Sequence, residues 1–402
     1  MFGSASRRTL SRRELRHSQA LPARAPPGPR LRSTRSHLAV EGGRPRLSHV
    51  QEFFRISPAE RDHIPAFRIA LGVAIPLLVL LGVDRLDLAI YAAFGAFTGI
   101  YARFESPRSR IRRQSIAAGV LVSCVGIGAL LGTAQTSIWV LIVVTALVSG
   151  IGAVMAVRFR LKPGGSIFFI FATGAVGSIP DGAPVQVAVP VAAASALVCI
   201  GLGALAHRVG ERMPRDKETY VRVGLSPVGK RDLLAHAIRF TIAPLIAGIL
   251  GTLLIDVLPL LSHSYWAMVA AVAPIAPPRR SARLKRGLHR VVGTLGGVIV
   301  TAFLLSFPVE AWQLVVWVIV LQFLAEVFVL RNYSVALFFI TPLALMMTQI
   351  GHPQPVVELL TSRAVETVIG VIVGMIVVLV GFGSERRSAG SAILAPSVDD
   401  DD

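Results

Sequence analysis

From residue 66 onward the chain alternates long apolar runs with short polar breaks. The runs predict helices at 66–82, 87–102, 114–133, 137–157, 165–179 and 185–207, then at 233–256, 264–277, 288–306, 311–329, 333–351 and 364–382. A helix needs about 20 apolar residues to cross a bilayer, and about 17 suffice where flanking side chains snorkel. The pattern therefore predicts an all-α, polytopic membrane protein of about twelve transmembrane helices. Residues 1–63 lack apolar periodicity and are rich in Arg and Pro. They are expected to form a disordered, basic cytoplasmic arm, with a membrane-surface or targeting segment as the competing reading. Residues 64–207 are read as a first six-helix membrane repeat, 208–232 as a cytoplasmic linker, and 233–382 as a second six-helix membrane repeat. Residues 383–402, ending in four aspartates, are read as a disordered acidic tail.

Composition agrees with the pattern. Hydrophobic residues make up 53% of the chain and charged residues only 16%, more apolar surface than a soluble domain hides. The net charge of +18 raises nucleic acid as a partner. Outside the N-terminal arm, however, the positive charges fall in short loops between apolar runs, which is a topology signal and not a binding groove. The expected partner is the lipid bilayer, with no nucleic acid. Arg103–Arg113, Arg158–Lys162, Arg208–Arg231 and Arg279–Arg290 carry the cations, whereas the alternate loops carry Asp84, Asp181, Asp256, Glu310 and Glu358. The positive-inside rule then places both termini in the cytoplasm. Trp139, Trp266 and Trp312 fall at predicted outer ends, where an interfacial aromatic belt is expected.

The two sets of runs share an internal repeat. Ala66-Phe67-Arg68 matches Ala237-Ile238-Arg239, Tyr91 and Ala93 match Tyr265 and Ala267, and Phe168-Phe169-Ile170 matches Phe338-Phe339-Ile340. Arg113 stands six residues before Gly119, as Arg290 does before Gly296. An even number of helices in each half inserts both halves the same way up, as parallel repeats. Soluble-enzyme chemistry finds no support: the chain has no GxxxxGK[ST] phosphate loop, no GxSxG nucleophile elbow and no His/Cys/carboxylate cluster at metal spacing. An enzyme, a cofactor and a metal site are accordingly not expected. Cys124 and Cys199 sit inside apolar runs and read as small core residues.

Three motifs of the second half carry a family resemblance. They are Tyr265-Trp266-Ala267 with Pro274 and then Arg290, Gly293, Thr294 and Gly297; Asn332-Tyr333 followed by Thr341-Pro342; and Arg363, Glu366, Thr367 and Gly370. Together they resemble the FUSC family, the fusaric acid resistance and aromatic acid exporter proteins. The resemblance covers about 236–382 and reaches the first half only through the repeat. It implies a multi-pass protein of the bacterial plasma membrane that exports small organic or aromatic acids, driven by the proton gradient. An anion channel, or a non-transporting membrane protein that supports envelope assembly, are the alternatives. Homo-oligomerisation is left open.

Within that frame a few residues are candidates for chemistry. Glu326 is the charged residue of the run 311–329, and a carboxylate in lipid usually faces the bundle interior or a water path. Glu326 and Glu366 are the proton-coupling candidates. An interfacial ion pair of Glu326 with Arg331, or of Arg363 with Glu366, is the competing explanation. Arg363, Arg239 and Arg68 are candidates to bind or attract an organic anion, although the last two also suit positive-inside anchoring. Pro342 removes a backbone hydrogen bond, and with Thr341, Asn332 and Tyr333 it outlines a candidate substrate site on a broken helix. Tyr265, Trp266, Pro274, Arg290, Gly293, Thr294 and Gly297 are expected to be structural, the glycines forming small-xxx-small contacts between helices.

Overall fold

A computed structural model describes residues 56–57, 62–206, 208, 211, 229–255, 257, 261, 264–277 and 280–380. The readings made for most of residues 1–63, for most of the 208–232 linker and for the 383–402 tail lie outside the described residues. Among the described residues twelve α-helices follow one another: α1 (His63–Gly82), α2 (Ala89–Ala96), α3 (Pro107–Thr133), α4 (Ile138–Arg158), α5 (Ile167–Gly177), α6 (Val185–Leu205), α7 (Lys230–Ile255), α8 (Tyr265–Val272), α9 (Arg280–Leu304), α10 (Ala311–Phe328), α11 (Tyr333–Gly351) and α12 (Val356–Val380). Single 3₁₀ turns, Leu86–Leu88 and Phe97–Ile100, flank α2. The described residues form a polytopic helical membrane protein.

Each predicted apolar run contains one of these helices, but not all are spans. Among the described residues, nine helices are long and apolar enough to cross a bilayer, where twelve were expected. The exceptions are α2, α5 and α8, with 8, 11 and 8 residues. At 1.5 Å per residue an eight-residue helix is about 12 Å long, well short of a ~30 Å hydrocarbon core. All residues of α2 and α8 are buried. Surrounded by other helices, these elements need no lipid-matching length. Trp266 shares that burial, so it belongs to the interior and not to an interfacial belt, whereas Trp139 and Trp312 are exposed.

Small residues bring α2 and α8 to their neighbours. A Cβ on Gly95 of α2 would strike the Ala192 carbonyl of α6. On Gly370 and Gly374 of α12 it would strike the Ala267 and Ala271 carbonyls of α8. The packing of α2 on α6 thus recurs as α8 on α12, and that of α3 on α5 recurs as α9 on α11. Between the halves, α4 packs on α7 and α10 on α1, while α5 meets α8 and α11 meets α2. Every one of these pairs maps onto another when six helices are added.

One end of the bundle gathers the charged loops. The Ala102 amide donates to the Lys162 carbonyl at 3.0 Å, joining the α2–α3 and α4–α5 loops. Arg113 pairs with Glu105 and donates to the Arg160 carbonyl at 3.0 Å. At the same end Arg331 pairs with Asp62 at 3.1 Å, joining the α10–α11 connection to the start of α1.

Candidate functional site

A cavity of about 660 Å³ lies where the two halves meet. Its walls come from the buried short helices α2, α5 and α8, from α10 and α11, and from the loop before α5. That loop turns at Gly165, whose φ of 86° is a conformation side-chain-bearing residues rarely adopt. Because α2, α5 and α8 do not fill the depth of the bundle, the space beyond their ends is left to side chains of the longer helices.

The first half supplies rings. Phe94 and Phe97 stand three residues apart on or just past α2, and Phe168 and Phe171 three apart on α5, so each pair shares a helix face. Phe94 meets Phe97 at 5.6 Å and Phe171 at 5.0 Å between ring centroids, both edge-on. Phe97 meets Phe168 at 5.3 Å, and Phe171 reaches Trp266 of α8 at 4.9 Å.

The second half supplies three of the cations. The Arg363 guanidinium lies 4.0 Å from the Trp266 ring centroid, stacked in cation–π contact. Arg363 is 1% exposed, and its Nε and Nη1 have no hydrogen-bond partner among the described residues. The Arg286 guanidinium lies 3.4 Å from the Tyr333 ring centroid, and Arg290 Nη1 donates to the Tyr333 hydroxyl at 3.3 Å. Arg286, Arg290 and Arg363 all line the cavity. With Arg103 and Lys162 they make five lining cations against two lining acids, Glu105 and Glu326. Those acids are engaged: Glu105 with Arg113, and Glu326 with Arg103 at 3.0 Å. Of the five, Arg103, Arg290 and Arg363 are buried, whereas Arg286 is half-buried and Lys162 exposed. An apolar, ring-lined space with an excess of cations is suited to an organic anion.

The expected residues distribute unevenly over this site. Glu326, Tyr333, Arg290, Arg363 and Trp266 line the cavity. Glu326 accepts from Arg103 and, at 3.1 Å, from Gln322; its partner is Arg103, while Arg331 turns to Asp62. The sequence spacing favoured Arg331, but the chain brings the distant α2–α3 loop closer. Burial lowers the Arg103 pKa, and the Glu326 and Asp62 charges oppose that shift. Glu366 is fully buried and accepts the Ala267 amide at 3.2 Å, in the first turn of α8. There its charge complements the helix N-terminus and occupies one of the otherwise unmatched amides.

The other candidates lie away from the cavity lining. Arg68 donates to Glu211 at 2.9 Å and to the Gly99 carbonyl at 3.2 Å, which binds the end of the first half together. Arg239 is half-buried on α7. Asn332 caps α11, accepting from the Ser334 and Val335 amides at 2.9 and 3.2 Å. α11 runs unbroken through Pro342. Thr341 abuts α9, where a Cβ on Gly297 would lie 2.6 Å from its own Cβ. Gly293 faces the Ser334 carbonyl in the same way, and Pro274 packs by Gly374. Thr294 is buried on α9, and Tyr265 is buried against Phe171 and Trp266. Sequence reasoning missed Arg103, Arg286 and the four phenylalanines. The three-residue spacing of the rings was the available signal.

The chain's similarities accord with this architecture. Residues 245–377 match the family model described as fusaric acid resistance protein-like. An uncharacterized membrane protein, YvaC of Bacillus subtilis, is 31% identical over 116 residues, covering 28% of this chain and 18% of its own length. The uncharacterized protein slr1298 of Synechocystis is 30% identical over 139 residues, covering 34% of this chain and 18% of its own. The matched stretch is therefore less than a fifth of either relative. No solved structure matches. The matched stretch contains α8 to α11 and most of α12, so that part of the chain is similar to the fusaric acid resistance protein-like family.

Proposed function

We propose that the protein is a secondary transporter of the bacterial plasma membrane that exports small organic, including aromatic, acids with proton coupling and no chemical step of its own. The observation that carries this proposal is the cavity between the halves, lined by aromatic rings and by Arg103, Arg286, Arg290 and Arg363. An organic acid suits those walls, with an apolar body for the rings and a carboxylate to complement the arginines. In this proposal the chain crosses the membrane twelve times with both termini inside, as two parallel six-helix repeats. The recurrence of helix pairs after six helices supports the repeat. Irregular backbone around α2, α5 and α8 is compatible with a crossing because protein, not lipid, surrounds it. Export proceeds by alternating access between the repeats, with Glu326 or Glu366 as the proton carrier. Glu326 has the stronger position because it lines the cavity.

Everted vesicles under an imposed pH gradient test this mechanism. Uptake of benzoate should follow the gradient and collapse when a protonophore is added. Full gradient-driven uptake by a Glu326→Gln, Glu366→Gln double variant would remove the proton role. Passive current that follows only the electrochemical gradient would identify an anion channel instead. Absence of flux together with a co-purifying envelope protein would identify a non-transporting role.

A further inference from the structure

Two cavities follow one another along one side of α11. The large one measures about 660 Å³ and the second about 20 Å³. Ala344 lines only the large cavity, His352 only the small one, and Thr348 lines both. These residues are four apart, so they share one side of α11 and its end, in steps of about 6 Å. Three further residues line both spaces: Met347 beside Thr348, Ile90 at the start of α2 and Ala175 near the end of α5. Among the described residues these four make up the shared wall.

The two cavities reach the surface at different ends. Every exposed residue on the large one, namely Lys162, Pro163, Gly164, Ala276 and Leu330, lies in the α4–α5, α8–α9 or α10–α11 connection, at the basic end. The small one lies between the α5–α6 and α11–α12 loops and includes the exposed Pro180. Both of those loops are pinned. The Ala183 amide donates to the Tyr91 hydroxyl at 2.8 Å, and Gln349 and Gln354 exchange two hydrogen bonds of 2.8 Å. A space of about 20 Å³ holds roughly one water, so an organic acid does not pass there as the helices stand.

We propose that Ile90, Ala175, Met347 and Thr348 form the constriction that closes the path through the molecule at the end away from the basic loops, with the small cavity as its exit vestibule. The proposal rests on the transport reading above and assigns the residues that decide what leaves. Ile90 and Ala175 come from the first half and Met347 and Thr348 from the second, so relative movement of the halves opens it. The Thr348 hydroxyl donates to the Ala344 carbonyl at 3.3 Å, which leaves the constriction without a free donor for a passing carboxylate. Apolar constrictions of this kind block ions by excluding water. Met347 suits a moving plug, because its unbranched thioether fills a gap in several rotamers.

The test is cysteine accessibility in the full chain, in right-side-out and everted vesicles. The membrane-impermeant anion sulfonatoethyl methanethiosulfonate is added from one face at a time. The unsubstituted chain, whose Cys124 and Cys199 are buried, gives the background, and the exposed Arg158→Cys marks the basic face. Ala344→Cys should react only from the basic face and His352→Cys only from the opposite face. Adding Met347→Ala and Thr348→Ala should speed the reaction of Ala344→Cys from the opposite face at least about tenfold, a barrier lower by about 1.4 kcal/mol. Met347→Ala alone gives a milder version should the double variant not fold, and Met347→Leu, which keeps the volume, should leave the constriction shut. Thr348→Phe should stop gradient-driven benzoate uptake by everted vesicles and leave the reaction of Ala276→Cys at the cavity mouth unchanged. Ala344→Cys reacting from the opposite face without these changes, or from neither face, overturns the proposal. So does an unchanged reaction rate in the truncated variants, or full benzoate uptake by Thr348→Phe. The expected labelling with no benzoate uptake by the unsubstituted chain overturns the transport reading alone and upholds the constriction.

Discussion

The Glu326 carboxylate lies 3.0 Å from Arg103, and the same guanidinium donates to the Asp62 carbonyl at 3.0 Å. One buried arginine thereby ties the end of α10 to the start of α1, across the two halves and at the rim of the cavity. Removing one member of a buried pair strands the other charge, whereas removing both removes the problem. Glu326→Leu and Arg103→Leu should each cost about 3–5 kcal/mol, and the double variant much less than their sum. Denaturant titrations of the detergent-purified protein measure the coupling. Strictly additive losses would mean that the pair does not hold the halves together.

Glycines at helix crossings give a second contrast. At Gly370 a Cβ would run into the Ala267 carbonyl, whereas at Gly119 it would meet nothing within 4 Å. Gly370→Ala must push α8 away from α12 and shift Trp266, so it should lower the melting temperature and disturb Trp266 fluorescence. Gly119→Ala should be neutral or stabilising by about 0.5–1 kcal/mol, since Ala is the better helix former. Equal behaviour of the two variants in a thermal-shift assay would contradict the close approach of α8 and α12.

How much of this was legible in the sequence follows from the same elements. The apolar runs located all twelve helices because burial in lipid or protein demands apolar side chains at every depth. They placed several starts too late. α3 begins at Pro107, not 114, and α9 at Arg280, not 288, because both helices continue into basic turns that carry no apolar signal. The same blindness hid Arg286, which lies in such a turn and reaches the cavity over Tyr333. Conversely, α2 and α8 end at Ala96 and Val272, short of the runs that contain them. An apolar run says nothing about whether its neighbour is lipid or another helix. The Arg103–Glu326 contact joins residues 223 positions apart, and no local spacing encodes it.

Glu366 separates a structural carboxylate from a proton carrier. It accepts the Ala267 amide at 3.2 Å in the first turn of α8. Glutamine keeps an acceptor there and leucine does not. Glu366→Leu should therefore destabilise by about 1–3 kcal/mol, the usual cost of a buried donor left unmatched, and Glu366→Gln by clearly less. If Glu366→Gln keeps its stability but loses gradient-driven uptake, the carboxylate titrates during transport. If both stability and uptake survive, capping α8 is its whole role and the proton passes elsewhere.

Tyr333 sits between two arginines and serves them differently. Its ring lies 3.4 Å from the Arg286 guanidinium, and its hydroxyl accepts from Arg290 Nη1 at 3.3 Å. Phenylalanine keeps the first contact and removes the second. Arg290 Nε already lacks a hydrogen-bond partner among the described residues, so Tyr333→Phe leaves a second nitrogen unmatched and should cost about 1–3 kcal/mol of stability. The freed donor faces a cavity suited to anions, and the hydroxyl no longer competes for it. Affinity for an aromatic carboxylate should then be retained or rise in Tyr333→Phe. Arg290→Gln should instead lower that affinity by about 10- to 100-fold, the loss of a charge-assisted hydrogen bond. Paired melting and binding curves on the two variants decide the matter. A parallel loss of affinity in both would mean that the hydroxyl itself contacts the ligand, and that Arg290 acts only by holding it in place.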